Sequence, residues 1–344
     1  MTSEVDRCTE AAFALVAPGK GILAADESHP TIAKRFKSIG VEATEEKRCA
    51  YREMLFTTEG IEEQISGVIL FDETLRQSTA TGEPFPSLLV SRGILPGIKV
   101  DKGAKPLAGS PGEVVTEGLD GLAQRLEEYS SLGARFTKWR AVIRIGDGLP
   151  TDYCINANAH ALARYAALSI QAGLVPIVEP EVLIDGEHTI KKCSQVTERT
   201  LRRVFSELYH QGVSLQQILL KPNMVTSGTT CPERASEEEV ASETIRCFLR
   251  AVPAAVPGVV FLSGGQSEEE ATRHLNLMNR NRDVPWQLSF SFGRALQAST
   301  LSAWAGAEEN RADAQAVFAE RARVNGLARY GRYDWQNPGA DAED

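Results

Sequence analysis

The sequence predicts an α/β protein built as one closed (β/α)8 barrel, the TIM-barrel class. Three observations carry this. The chain has 344 residues, which suits one large barrel or two ordinary domains. Eight short apolar runs alternate with stretches of helical periodicity. Charged or polar residues close nearly every run, as expected where strand ends surround one shared cavity. An open doubly wound sheet is the alternative, but no GxGxxG follows the first run.

Residues 2 to 16 read as an amphipathic helix, with Val5, Cys8, Ala12, Phe13 and Val16 on one side. The apolar runs then follow in order. They are Gly21 to Glu27, Ser66 to Glu73, Gly97 to Asp101, Ala134 to Ile145, Leu174 to Glu181, Gln217 to Lys221, Gly258 to Ser263 and Trp286 to Arg294. Between them, Ala157 to Ala172, Glu198 to His210, Glu237 to Ala251 and Glu268 to Asn281 are each long enough for a helical crossover. One domain is expected over residues 1–334. The last ten residues, 335–344 (WQNPGADAED), are polar and acidic and are expected to be mobile.

Composition narrows the function. With 42% hydrophobic and 24% charged residues the chain has ample material for a core. A net charge of -9 argues against a general nucleic-acid or anionic-membrane surface and leaves room for a local basic pocket. Six scattered cysteines with no CxxC and an N-terminus without a long apolar segment point to a reduced, cytoplasmic protein. No apolar run reaches the length of a membrane span. The five histidines show no HxH or HxxxH spacing, so no metal site is expected.

Lys221 is the residue that needs a reason. It ends the run Ile218-Leu-Leu-Lys221 and precedes Pro222, which stops the strand there. A lysine on the last rung of an apolar strand costs free energy unless it reaches water or serves chemistry. Side chains two apart on a strand share a face, so the rims of the other strands supply companions: Asp26, Lys99, Lys138 and Arg140, Glu179 and Glu181. A second cation, Lys138, lowers the pKa of Lys221 and frees neutral amine, the form that attacks a carbonyl. Glu179 or Asp26 then protonates the departing carbinolamine hydroxyl. Each charge taken singly fits an ordinary salt bridge; their recurrence at the same end of successive strands does not fit solvated faces.

The loops after the last two runs add a second constellation. Ser263, Gly264 and Gly265, then Ser291 and Arg294, offer N–H groups, hydroxyls and a guanidinium fork suited to a phosphate. Such barrels commonly bind phosphate there. Thr31, Lys34 and Arg35 follow the first run and read by default as a solvated helix face. Should they face the cavity, the ligand carries a phosphate at each end. Cys193 and Cys247 read as structural thiols, and the acidic runs as solvated helix starts or faces.

The motifs GKGILAADES, GVILFDETL, GIKVDKG, FTKWRAV, VPIVEPE, LLKPNMV, FLSGGQSEEEA and FGRALQAS together resemble, in order and spacing, the class I fructose-bisphosphate aldolases. The resemblance runs from about Val16 to about Arg332. It implies a metal-independent, cofactor-free lyase of glycolysis and gluconeogenesis, cytoplasmic and homotetrameric. Such enzymes reversibly cleave fructose 1,6-bisphosphate into dihydroxyacetone phosphate and glyceraldehyde 3-phosphate. By motif, Lys221 would be the Schiff-base lysine, Glu179 the general acid and base supported by Glu181, and Asp26 and Lys138 would act at the C4 hydroxyl and the carbinolamine. Ser263, Gly264, Gly265, Ser291 and Arg294 would hold the C1 phosphate. Arg35, Lys34, Thr31, Lys99 and Arg140 would serve the other phosphate.

The chain departs from the family pattern in three places. Phe292 stands where many members have tyrosine, Thr31 where many have serine, and the sequence closes on Ala342-Glu343-Asp344 where members usually end in tyrosine. Two other readings stay open at this level. One is a Schiff-base aldolase preferring a sugar monophosphate; the other is a non-catalytic binding or scaffold relative.

Overall fold

The computed structural model describes residues 4–280 and 283–336. Among the described residues there are ten strands: β1 (Gly21–Ala25), β2 (Ile65–Leu70), β3 (Leu95–Lys99), β4 (Ala104–Pro106), β5 (Val114–Thr116), β6 (Phe136–Ile143), β7 (Val175–Val182), β8 (Leu219–Leu220), β9 (Gly258–Phe261) and β10 (Gln287–Phe292). Eight close into a parallel barrel in the order β1-β10-β9-β8-β7-β6-β3-β2, matching the eight apolar runs. β4 and β5 form a separate antiparallel hairpin in the connection after β3. The sequence reading did not foresee it, because three-residue strands carry too little alternation to stand out.

The helices fall where periodicity predicted, with longer starts. Asp152–Gln171 and Ile190–His210 begin earlier than expected because Thr151 and Thr189 cap them through their side chains. Glu237–Ala251 starts on a full capping box made by Ser236 and Glu239.

Side chains inside the barrel sort by height. The lower rungs are apolar: Ile22 and Ala24 on β1, Ile69 on β2, Phe136 on β6, Val175 and Ile177 on β7, Leu219 on β8 and Val260 on β9. Cys8, Ala12, Leu15 and Val16 of the N-terminal helix, Glu4–Leu15 and the residue after it, close the floor by packing into the same cluster. Phe13 does not join them; it is 54% exposed, because it lies on the helix face away from the barrel. Glycine leaves the space that Phe136 fills. A Cβ on Gly97 would lie 2.3 Å from that ring, and one on Gly67 would lie 2.6 Å from Leu15.

Two residues further along the same inward rows, the character changes. Ala24 is followed by Asp26, Phe136 by Lys138 and Arg140, Ile177 by Glu179 and Glu181, and Leu219 by Lys221. A period of two keeps each row facing inward, so the apolar floor and the charged mouth are one pattern.

The chain stays packed to the last described residues. Asn276 grips the backbone of Tyr333 in both directions, at 2.9 and 3.0 Å. Trp335 lies over the guanidinium groups of Arg273 and Arg280, at 5.8 and 5.5 Å. Trp335, expected as the first residue of a mobile tail over 335–344, is therefore packed, and residues 337–344 lie outside the described residues. All six cysteines are free. Among the described residues no helix is long and apolar enough to cross a membrane.

Candidate active site

A cavity of about 320 Å³ opens at the C-terminal rim of the barrel. It brings together thirteen of the fifteen expected residues: Asp26, Thr31, Arg35, Lys99, Lys138, Arg140, Glu179, Glu181, Lys221, Ser263, Gly264, Ser291 and Arg294. Lys34 and Gly265 do not line it. Lys34 is exposed on the helix His29–Ser38, as a solvated face predicts, and Gly265 turns behind Gly264 towards Ile184.

At the centre lies Lys221. It follows β8 directly, and its N–H still donates to the Val178 carbonyl at 2.8 Å, so the ladder fixes it before Pro222 ends pairing. Its side chain is 4% exposed, and Nζ lies 3.4 Å from Glu179 Oε1. The second oxygen of Glu179 lies 3.3 Å from Lys138 Nζ, and Lys138 lies 2.6 Å from Asp26 Oδ2.

These contacts drive the two lysines apart electrostatically. Burial holds the Lys221 amine below the usual lysine range, and Lys138 adds to that depression; Glu179 and Asp26 oppose it without cancelling it. Lys138 is equally buried, but Asp26 and Glu179 outweigh that burial and lift its pKa above the ordinary value. One lysine thus has two close carboxylates and stays charged, while the other has one, more distant. The sequence reading gave the neighbouring cation the leading part in tuning Lys221; burial has it. For Asp26 burial works upwards, but Lys138 and Lys221 pull its carboxyl well below the usual range. Asp26 is therefore an anion across the physiological range.

Around this centre, other carboxylates fix the cations. Glu181 pairs with Arg140, and Asp101 holds Lys99 at 2.5 Å while accepting the Arg140 N–H at 3.2 Å. Glu27 pairs with Arg35 and lies 2.7 Å from Arg52, whose side chain is 3% exposed. Burial raises the Glu27 pKa, and Arg35 and Arg52 bring it below the ordinary value. Asp101, Glu27 and Arg52 were missed from sequence. Asp101 had a signal, standing two residues after Lys99 at a strand end; Arg52 had none, since it sits on the helix Glu45–Phe56 among other charges.

The glycine-bearing loops also meet the cavity. Gly264 and Gly265 both adopt positive φ, +42° and +92°, which their missing Cβ permits. Ser291 Oγ is buried and has no hydrogen-bond partner in the protein. A buried hydroxyl without a partner suits a site completed by a polar ligand. Arg35 lies beside Gly293, where a Cβ would be 3.6 Å from its guanidinium, an ordinary contact distance. Arg35 therefore adjoins the Ser291–Arg294 side, whereas sequence reasoning grouped it with Lys99 and Arg140. Those two, on β3 and β6, stand opposite β9 and β10 across the eight-strand ring. Among the described residues no group of His, Cys, Asp and Glu is arranged to hold a metal ion.

A parallel barrel with a buried lysine of depressed pKa, a carboxylate within reach and cationic groups on opposite rims defines a class of enzyme equipped for carbonyl chemistry on anionic substrates. Comparison with known proteins narrows it. Residues 7–344 match the family described as "Glycolytic: Fructose-bisphosphate aldolase class-I". The chain is 58% identical over 330 residues to a Xanthomonas campestris protein named "Probable fructose-bisphosphate aldolase class 1", covering 96% of this chain and 99% of that one. It is 56% identical over 317 residues to Arabidopsis thaliana "Fructose-bisphosphate aldolase 4, cytosolic", covering 92% and 81%. A co-crystal structure of fructose-bisphosphate aldolase from Plasmodium falciparum superposes with a TM-score of 0.95 at 51% identity, covering 96% of both chains. The chain belongs to the class I fructose-bisphosphate aldolase family.

Proposed function

We propose that this chain cleaves fructose 1,6-bisphosphate reversibly through a Schiff base on Lys221. The observation that carries this is the pairing of a buried lysine of lowered pKa with Glu179 at 3.4 Å. Neutral Lys221 Nζ adds to the C2 ketone. Glu179 takes the proton that the attacking amine loses and delivers one to the carbinolamine hydroxyl, water leaves, and an iminium forms. Asp26 or Glu179 takes the proton of the C4 hydroxyl. The C3–C4 bond breaks, and its electron pair passes to C3 with the iminium as sink, giving an enamine and glyceraldehyde 3-phosphate. Protonation of the enamine at C3 and hydrolysis of the resulting iminium release dihydroxyacetone phosphate and restore Lys221.

Charged Lys138 fits the role of keeping Asp26 an anion and of orienting both Asp26 and Glu179 around the reacting carbons. Ser263, Gly264, Ser291 and Arg294, with Arg35 beside them, form a receiver for one phosphate, and Lys99 and Arg140 face it from the other side. Two opposed cationic rims favour a bisphosphate over a monophosphate. A homotetramer in the cytoplasm is the assembly and place that the family resemblance supports, and sedimentation analysis tests the former.

Borohydride reduction in the presence of dihydroxyacetone phosphate, followed by peptide mass analysis, tests the chemistry. A reduced adduct is expected on Lys221, with turnover retained in a chelator. An adduct on another lysine, or none, overturns the assignment.

A further inference from the structure

The loop Ser263-Gly264-Gly265 poses a problem of its own. Two successive glycines at positive φ are the most freely jointed pair a chain can offer, so their conformation must be selected from outside. The selector is visible one residue on. Gln266 bonds the Ser263 carbonyl twice, through its backbone N–H at 2.9 Å and its side-chain amide at 3.0 Å. Donation by the amide leaves its oxygen to accept, and the donor it meets is His274 Nδ1 at 2.6 Å.

Each member of this relay is buried: Ser263 and His274 at 6% exposure and Gln266 at 7%. His274 lies on the helix Glu268–Arg280, whose first turn is tied down by reciprocal bonds between Ser267 and Glu270. The relay thus runs from a fixed helix to a flexible loop. Burial brings the His274 pKa down to about 4, so the ring is neutral under working conditions and carries its single proton on Nδ1. Nothing in the proposed chemistry uses His274, and it does not line the active-site cavity.

We propose that His274 acts through Gln266 as a positioning residue for the Ser263–Gly264 loop, and so sets the affinity of the cavity for the anionic group that this loop receives. The inference rests on reading that loop as a phosphate receiver. It assigns His274 no contact with substrate.

The test uses the full chain with His274→Leu, His274→Asn and Gln266→Met. Asparagine keeps a donor near the position of Nδ1, and a space of about 80 Å³ beside the ring gives replacements room. In His274→Leu and Gln266→Met, KM for the bisphosphate and the inhibition constant of inorganic phosphate should rise together by about 3- to 10-fold, with kcat changing less than about twofold. His274→Asn should restore both. Unchanged constants in a folded His274→Leu protein overturn the proposal, as does an equal loss in His274→Leu and His274→Asn, or a loss confined to kcat. If inorganic phosphate does not compete with substrate in the unsubstituted enzyme, the reading of the loop as a phosphate receiver fails instead.

Discussion

Glu179 bridges two lysines, with one oxygen 3.4 Å from Lys221 Nζ and the other 3.3 Å from Lys138 Nζ. The bridge connects a lysine held towards neutrality with one held charged, and a carboxylate between them can pass a proton towards Lys221 while Lys138 stabilises its anion.

Glu179→Gln keeps the size of the bridge and one acceptor oxygen, but sets an NH2 donor against the other lysine and removes proton transfer. Steady-state kcat is expected to fall by about 100- to 10,000-fold, with a much smaller change in KM. A loss below about tenfold would show that another group moves the proton.

Lys138→Met takes a positive charge away from Lys221 and frees Asp26 and Glu179 to pair with it. Both changes raise the Lys221 pKa, so the acid limb of the kcat/KM profile should move to higher pH. A limb that stays in place, or moves to lower pH, would separate Lys138 from the tuning of the nucleophile.

Asp26→Asn tests the same cluster through stability. The folded pKa of Asp26 lies below its ordinary value of 3.8, so its ion pairing stabilises the fold fully above that value and the benefit is lost as pH falls towards the folded pKa. Urea denaturation should find the variant less stable by about 2 kcal/mol near neutrality, with the gap narrowing once pH drops below about 4. A gap constant with pH would mean that the carboxylate charge contributes nothing.

Ser291→Ala separates binding from folding. Ser291 Oγ is buried without a protein partner, so removing it should leave stability unchanged or raise it by up to about 1 kcal/mol. KM for the bisphosphate should rise by about 3- to 10-fold. Thermal unfolding and steady-state kinetics on one preparation give both readouts; a destabilised protein with unchanged KM would contradict the assignment.

The barrel was legible because it is a periodic object. Runs of apolar residues closed by charges at eight places specify strands, inward rows and a common mouth, and the observed rows from Ile22 to Asp26 and from Phe136 to Arg140 follow that reading. The hairpin β4–β5 was not legible, since its strands are three residues long. Nor was the whole set of ion pairs at the mouth: Arg52 reaches the site by pairing with Glu27, and no spacing in the chain announces it, whereas Asp101, the partner of Lys99, stands two residues after it and could have been read.

The sequence by itself determined the barrel, the row parity that turns Lys138, Glu179 and Lys221 inward, and the family. Those depend on local periodicity and motif order, which one dimension records. Only the tertiary structure decided that burial rather than Lys138 leads in lowering the Lys221 pKa, that Arg35 adjoins Gly293, and that Lys34 faces away. Each of these turns on distance and exposure between elements far apart in the chain. Coulomb attraction and desolvation depend on separation in space, and the separation is set only when the barrel closes.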